Sequence, residues 1–489
     1  MQKIIDKFFK TEKYNFVIIA SLLFYLSLFF SLNNKILLVI FIIFIFIFYK
    51  RFKSWPLTLF ILYILFLPFQ KGKGIELVLI PNWILNYWGL NINSPYSFTS
   101  SITFSDISFA GIFLLLLVSE IKNKTKKIFS KIDLIYLLLF GFLIFNFIPI
   151  IGSYYPFVSL VAYLKILRYV AICFLMPLLF KDKKIKSYIP ILFSSSVLFQ
   201  GFWATIQFAL KRPLGLAIEP INYFFSPYGF SASEQNTFFR STGTFDHPNT
   251  LGVFLVILLI FLIIKLPNLL KITKNKLFII STFVFGILGL IFSASRASWV
   301  VFTIVFLIII FYFYKANILK KYIHLIPKKS IFTLTALLAA FFPIIILPRL
   351  NQLYITFFTK DQGLYYRYYL LEKAWNLSLK YPLGIGLGTF PAYLLRTFGF
   401  TAWPTPVHNI FLEISVESGF ISLLFFILII ITLVKKYLKK IHKIKSNVFS
   451  LETGAIFAIF AFLLLAQFYP FYLSGRIIEY FWLFIGIII

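Results

Sequence analysis

Cysteine, acidic side chains and charge in general are all scarce in this chain of 489 residues. A single cysteine, Cys173, excludes an intrachain disulfide and any metal site built from several cysteines. Only 13% of the residues are charged and 60% are hydrophobic, whereas a soluble globular protein has about a quarter of its residues charged. The composition therefore excludes a soluble globule and predicts a protein that lies in a lipid bilayer.

Positive charge is the one abundant kind of charge. Lysine and arginine total 47 against 16 acidic residues, which gives a formal net charge of +31. In a soluble protein this excess would indicate nucleic-acid binding, but here the lysines form short clusters between long apolar runs. Lysine clusters in that position hold loops in the cytoplasm. We therefore expect a lipid bilayer and no nucleic acid as a partner.

The apolar runs predict an all-α, polytopic membrane protein with about 12 to 14 transmembrane helices, because a spanning helix needs about 20 mainly apolar residues. The candidate spans lie near residues 14–32, 35–49, 55–69, 105–121, 132–151, 156–180, 187–209, 248–266, 277–293, 298–314, 331–347, 409–434, 450–469 and 477–489. Lysine clusters fall at every second break, which places the other breaks outside. Two of these outer breaks are long, residues 70–104 and 348–408, and their aromatic content favours ordered structure.

Polar residues cluster directly ahead of the apolar run that begins at Pro248. Proline suits a first helical turn, and Asp246 and His247 are candidates for capping that helix. Capping does not require Arg240, however. Gly243 also permits close approach of the backbone to a ligand, as anion-binding sites do. This segment is therefore either a helix start or part of a binding site.

Two more arginines occur in predicted outer segments. Arg296 lies in a serine-rich hairpin, 293–298, where a charge beside apolar spans is costly unless it has a function. Arg367 stands among the tyrosines of 365–369 and is equally consistent with an interfacial cation–π anchor and with a ligand contact.

The last polar cluster precedes the apolar run at 409–434. Prolines ahead of His408 hold the chain extended, and Asn409 can cap the helix that follows. Glu413 and Glu417 are four residues apart and so share one helix face. A carboxylate at the depth of Glu417 is expected to have an arginine partner or a water-filled cavity.

Three arginines and a histidine suggest the chemistry of a polyanion with a transferable group. Guanidinium groups match phosphate oxygens with two parallel hydrogen bonds, and histidine is the usual proton acceptor near neutral pH. No predicted outer loop carries aspartates at metal-binding spacing, which makes a metal-dependent phosphate site the less expected alternative.

Three separated motifs, in order, resemble the O-antigen ligase and polymerase family. They are Arg240-Ser-Thr-Gly-Thr-Phe-Asp-His-Pro-Asn249, Ser295-Arg296-Ala297, and His408-Asn409-Ile-Phe-Leu412 with Glu417-Ser-Gly419. The resemblance covers about residues 235–435. It implies a polytopic enzyme that passes a glycan from a polyprenyl-pyrophosphate carrier to an acceptor hydroxyl at the outer face of the cytoplasmic membrane, with no metal and no other cofactor.

The resemblance also implies roles for individual residues. Arg240 and Arg296 would bind the pyrophosphate, Arg367 would do so by a looser match, and His408 would activate or position the acceptor hydroxyl. The remaining motif residues are possible supporting residues: Asp246, His247, Asn249, Glu413 and Glu417. The implied organisation has N-terminal membrane helices in 1–234, a ligase-like catalytic core in 235–435 with the outer loop 348–408, and C-terminal membrane helices in 436–489.

The acceptor stays open at this level. A lipid acceptor would make the protein a ligase, a growing glycan would make it a surface-polysaccharide polymerase, and a protein side chain would make it a protein glycosyltransferase. The alternative from another class is a transporter of lipid-linked glycans or polyanions. Such proteins place ionisable residues at mid-membrane, and Lys165 and Arg168 form a basic pair inside an apolar run.

Overall fold

The structure is a computed structural model. It describes residues 12–30, 34–69, 75–77, 100–122, 133–216, 219, 239–273, 275–315, 362–398, 406–443, 448–470, 472 and 476–489. Within these residues the regular secondary structure is α-helical apart from a 3₁₀ turn, Leu28–Phe30, and one antiparallel pair of three-residue strands, β1 (Ile75–Leu77) and β2 (Ser100–Ile102).

The helices before the site-forming segments are α1 (Lys13–Ser27), α2 (Asn34–Phe52), α3 (Trp55–Phe66), α4 (Phe104–Lys122), α5 (Leu134–Gly152), α6 (Pro156–Leu179) and α7 (Lys183–Leu210). The helices after them are α8 (Pro248–Ile272), α9 (Lys276–Phe292), α10 (Arg296–Lys315), α11 (Gln362–Lys380), α12 (Phe390–Phe398), α13 (Ile410–Lys443), α14 (Leu451–Leu465) and α15 (Ile477–Ile488).

Each candidate span that falls on the described residues forms a helix. Most ends agree within a few residues, but α8 continues to Ile272 and α13 to Lys443, with a break at Gly419. The candidate at 331–347 lies outside the described residues. By length and composition, six helices in the described part of the chain can cross a membrane: α5, α6, α7, α8, α10 and most of α13. Shorter apolar helices accompany them, and the total of 12 to 14 spans remains a prediction. The fold is that of a multi-pass membrane protein.

Helix α8 is the centre of the bundle. Every residue from Leu251 to Leu262 is buried, as expected of a helix that is apolar all round and surrounded by others. Helix α10, in contrast, exposes apolar residues along one stripe, among them Val300 (56% exposed), Leu307 (58%) and Phe311 (64%). An exposed apolar stripe of this kind suits contact with lipid.

Small residues allow the closest helix contact in the described part of the bundle, between α7 and α9. A Cβ atom added to Gly201 of α7 would lie 2.1 Å from the carbonyl oxygen of Phe285, and one added to Gly289 of α9 would lie 2.9 Å from the Cα of Gly201. Close backbone approach gains van der Waals contact in a medium where lipid offers no hydrophobic force. This packing holds α7 firmly beside the segment ahead of α8.

The predicted outer loop 348–408 contains ordered structure at residues 362–398 and 406–408, the part of it that the structure describes. Helix α11 packs on α13, and a glycine-rich turn leads from α11 to α12. The buried face of α11 and α12 forms a small core of its own, which includes Leu370, Ala374, Phe390 and Val416. The expectation of order is confirmed for 362–398; most of the other predicted long loop, 70–104, lies outside the described residues.

Candidate functional site

Arg240 is held rigidly at the junction between two helical hairpins. Its Nε donates to the carbonyl oxygen of Ser293 at 3.0 Å, and its Nη2 donates to Oδ1 of Asn249 at 2.6 Å. The side chain is buried, with 7% of its surface exposed. A buried guanidinium fixed by two hydrogen bonds keeps its orientation, which is the condition for preorganised binding of an anion.

The turn at Gly243 has a structural explanation that the sequence did not reveal. Gly243 has a φ of +61°, and its N–H donates to Oε1 of Gln207 at 2.9 Å. The next N–H, that of Thr244, donates to Oε1 of Gln200 at 3.0 Å. These two backbone N–H groups therefore bind glutamine side chains of α7, where the sequence predicted a ligand. The two bonds anchor the segment to α7.

His247 caps α8, as the sequence predicts. Its Nδ1 accepts from the backbone N–H of Asn249 at 3.0 Å, and Pro248 occupies the first helical position. His247 is exposed to solvent, yet other protein groups lie close around it, so the side chain lies in a recess. Burial, followed by the charges of Arg240, His408 and Arg367, holds the pKa of His247 well below its usual value. Of the two predicted caps, His247 makes this bond, whereas Asp246 is exposed.

His408 and Asn409 start α13. Asn409 caps the helix through Oδ1, which accepts from the N–H groups of Phe411 at 3.0 Å and Leu412 at 3.1 Å, so its predicted role is confirmed. The Nδ1 of His408 lies 3.3 Å from the carbonyl oxygen of Phe468. Burial and the nearby positive charge of Arg367 lower the pKa of His408 to about 4, and the bond to Phe468 partly offsets this shift.

Arg367, on α11, lies near both histidines. The side chain is exposed, and its charge acts on His247, His408 and Tyr469. Burial raises the pKa of the Tyr469 phenol, while its hydrogen bond to Ser295 and the charges of Arg240 and Arg367 lower it. Two arginines, two imidazoles and one phenol therefore face one region at one end of the bundle.

Arg296 lies at the hairpin between α9 and α10, and its contact with pyrophosphate remains a prediction. It begins α10 and is half-buried. Its neighbour Ser295 bonds the hydroxyl of Tyr469 at 2.9 Å and that of Ser298 at 2.8 Å. The charge of Arg367 acts on both histidines, and that of Arg240 acts on His247. The hairpin of Arg296 thus borders the site, and Ser295 holds the hydroxyl group of Tyr469 in place.

Helix α13 is broken where it passes the glycine-rich turn. Gly419 has φ +86° and ψ 165°, which is not a helical conformation. The carbonyl groups of Val416 and Glu417, freed by the break, accept from the N–H groups of Ile385 at 2.9 Å and Gly386 at 3.1 Å. Non-helical backbone in an apolar region requires replacement hydrogen bonds of this kind. The interpretation of the glycines as a tight loop is confirmed.

The two glutamates of α13 bind backbone amides. The carboxylate of Glu417 accepts from Gly388 N at 2.8 Å and from Phe390 N at 3.2 Å, at the start of α12. The carboxylate of Glu413 accepts from Tyr472 N at 3.3 Å. Glu417 thus has amide donors where an arginine or a water-filled cavity was expected, and it anchors the turn after α11 to α13.

Comparison with protein families identifies part of this arrangement. Residues 281–427 match the O-antigen ligase family. The resemblance inferred from the motifs is confirmed over that range, which contains Arg296, Arg367, His408 and both glutamates. Arg240 and His247 lie ahead of the matched range and join it only through folding. No curated protein and no solved structure matches the chain.

Sequence reasoning missed several residues that shape the site beside the O-antigen ligase region. Tyr469 and the carbonyl of Phe468 follow α14, outside the family match, and no motif marks them. Gln200 and Gln207 are polar residues on one face of an otherwise apolar helix, seven residues apart, which is a signal for a shared buried partner.

Proposed function

We propose that this protein is a membrane glycosyltransferase of the O-antigen ligase type, which moves a glycan from a polyprenyl-pyrophosphate carrier to an acceptor hydroxyl without a metal ion. The observation that carries the proposal is the convergence of Arg240, Arg367 and His408 at one end of the bundle, next to a region that matches the O-antigen ligase family. Fixed guanidinium groups beside a neutral imidazole suit transfer from a phosphate leaving group.

The division of roles follows from charge. Arg240 and Arg296 bind the pyrophosphate, as the motifs imply, and Arg367 is a further contact for it. In the transfer step the acceptor oxygen bonds to the anomeric carbon, and its proton passes to His408. The electron pair of the breaking carbon–oxygen bond stays on the pyrophosphate. Arginines held in place stabilise that developing charge without reorganisation.

The tautomer of His408 supports its role as the base. A carbonyl oxygen only accepts, so the bond to Phe468 requires the hydrogen on Nδ1. The other nitrogen, Nε2, then carries a lone pair in the neutral ring and is able to take a proton. With a pKa lowered to about 4, the ring is neutral at the pH of the cell.

We further propose that the site lies at the outer face of the cytoplasmic membrane. The site lies at the start of α8, α10 and α13, and the opposite ends of the same helices carry lysines, among them Lys271, Lys315 and Lys435. By the positive-inside rule those lysine ends are cytoplasmic. Lipid, glycan and protein acceptors all remain compatible with this geometry, so a polymerase of the same family remains an alternative to a ligase.

Arg168, one of the two basic residues that favoured the transporter alternative, has a structural explanation. Arg168 pairs with Asp106 and, at 2.6 Å, with Glu479. Arg476 joins the same cluster through Asp106 at 2.8 Å and Glu479 at 2.6 Å. Carboxylates thus pair with Arg168, and the cluster ties α4, α6 and α15 together. A buried arginine with such partners has a structural reason to be there.

The test is glycan transfer by purified protein, with a polyprenyl-pyrophosphate oligosaccharide as donor and chelator present. We expect His408→Ala to abolish transfer and to retain donor binding. Arg240→Lys should lose roughly tenfold or more, because lysine cannot replace both hydrogen bonds of the guanidinium, and Arg240→Ala should lose nearly all activity.

Arg396→Lys is the matched control. Arg396 is exposed and lies over the ring of Tyr154 at 4.9 Å, away from the histidines, so the same exchange should leave transfer intact. Undiminished transfer by His408→Ala, or transfer that disappears with chelator, would contradict the proposal.

A further inference from the structure

His247 has a second ring nitrogen that its role as a helix cap does not use. The cap bond runs from the N–H of Asn249 to Nδ1 of His247 at 3.0 Å. A backbone N–H only donates, so Nδ1 must carry the lone pair and the hydrogen of the neutral ring must be on Nε2. The cap therefore fixes the tautomer that presents a hydrogen-bond donor.

The two histidines are thus set in opposite tautomers. The Nδ1 of His408 donates to the carbonyl of Phe468, which leaves Nε2 of that ring as an acceptor. In His247 the Nε2 is a donor. Both rings face Arg367, and His247 also faces Arg240. One imidazole is prepared to accept a proton, and the other is prepared to donate a hydrogen bond.

The location of His247 fits contact with the pyrophosphate. Asn249 accepts from Nη2 of Arg240 at 2.6 Å through its side chain and donates to His247 through its backbone. The guanidinium and the imidazole are therefore held by the same residue. Because His247 is exposed in its recess, its ring is able to contact a ligand that Arg240 binds. Burial, together with the surrounding positive charges, lowers the pKa of His247 and keeps the ring neutral, so that it donates as an imidazole.

We propose that the Nε2–H of His247 donates a hydrogen bond to the pyrophosphate oxygen that leaves the anomeric carbon, so that His247 is a catalytic residue as well as a cap. This inference rests on the proposed function. In the step, the acceptor oxygen bonds to the anomeric carbon and loses its proton to Nε2 of His408. The bond between the anomeric carbon and the pyrophosphate oxygen breaks with its electron pair on that oxygen, which receives the hydrogen bond from His247. His247 itself gains and loses no proton.

Two substitutions separate the cap from the donor. His247→Asn retains a side-chain oxygen suited to capping, because asparagine is among the best capping residues, but it is too short to place a donor where Nε2 lies. His247→Gln places an amide N–H near the position of Nε2 and is a poor cap. The two variants are therefore expected to fail in opposite ways.

Three quantities are measured for each variant: the melting temperature, the increase in that temperature caused by inorganic pyrophosphate, and kcat/KM for glycan transfer. We expect His247→Asn to melt like the wild type, to respond less to pyrophosphate, and to lose roughly 10- to 100-fold in kcat/KM, the cost of one donor to a developing oxyanion. His247→Gln should melt lower and yet transfer faster than His247→Asn.

The opposite order would overturn the inference: full transfer and full pyrophosphate response in His247→Asn, with losses only in His247→Gln, would leave His247 as a cap alone. The wild type distinguishes this failure from failure of the proposed function. A wild-type protein that responds to pyrophosphate and transfers no glycan would refute the transferase, while the response of the variants would still decide whether His247 contacts the anion. A wild type that does neither would overturn both.

Discussion

The break in α13 is the feature whose disturbance should cost most stability. Gly419 has φ +86° and ψ 165°, a region that is open essentially to glycine alone. A Cβ atom at this position would also lie 2.6 Å from the carbonyl carbon of Leu383 and 2.7 Å from the carbonyl oxygen of Pro382. Because both obstacles are backbone atoms, neither is able to move without shifting the turn. Gly419→Ala therefore combines a backbone cost with a steric cost.

The magnitude follows from these two contributions. The backbone conformation costs about 1–3 kcal/mol for a residue with a side chain, and overpacking costs about 1–3 kcal/mol more. We expect Gly419→Ala to lower the free energy of unfolding by roughly 4 kcal/mol. Function should be lost as well. The turn that contacts Gly419 follows α11, which carries Arg367, and its backbone bonds hold it against α13, which begins beside His408.

Two other glycines serve as matched controls. Gly215 has φ +75° with nothing within 4 Å of an added Cβ, so Gly215→Ala isolates the backbone cost, about 1–2 kcal/mol. Gly152, the last residue of α5, has an open surrounding and no positive φ, so Gly152→Ala should be within about 1 kcal/mol of neutral.

The assay is thermal unfolding of the four purified proteins in one detergent, followed by tryptophan fluorescence. We expect the wild type and Gly152→Ala to melt last, then Gly215→Ala, then Gly419→Ala by a clear margin. Gly419→Ala melting together with Gly215→Ala would mean that the turn yields to the added carbon. The close contact between α13 and the turn after α11 would then not be a rigid joint.

Two further predictions concern the base and the orientation. Since the pKa of His408 is lowered to about 4 and the neutral ring is the active form, kcat/KM should stay level as pH falls past about 6.5 and decline only near pH 4. Arg367→Met removes a positive charge and should move that decline to higher pH; a wild-type decline centred near 6.5 would contradict the assignment. For orientation, cysteines are placed singly at Asn376, exposed on α11, and at Lys184, exposed in a lysine cluster, with Cys173 replaced by alanine. An impermeant thiol reagent should label only the first in intact cells, and labelling of Lys184→Cys alone would invert the proposed topology.

The sequence by itself determined the helices that form from apolar runs, but not α11 and α12, which form from a segment predicted only as an ordered outer loop. Long apolar runs form helices wherever the structure describes them, because intrahelical hydrogen bonds satisfy the backbone regardless of the neighbours. Local signals located the helix starts equally well: Pro248 with His247 ahead of α8, and Asn409 ahead of α13. The ordered motifs also sufficed to predict the family that residues 281–427 match.

Only the tertiary structure decided how these parts meet. Folding brings the charge of Arg367, on α11, to His247 at the start of α8 and to His408 at the start of α13. Folding likewise gives Glu417 backbone amides as partners and supplies the carbonyl of Phe468, which selects the tautomer of His408. The bonds of Glu417 and His408 join residues between 27 and 60 positions apart. Composition and periodicity specify what a segment buries, whereas the partner it meets depends on how whole helices pack, which a local pattern does not encode.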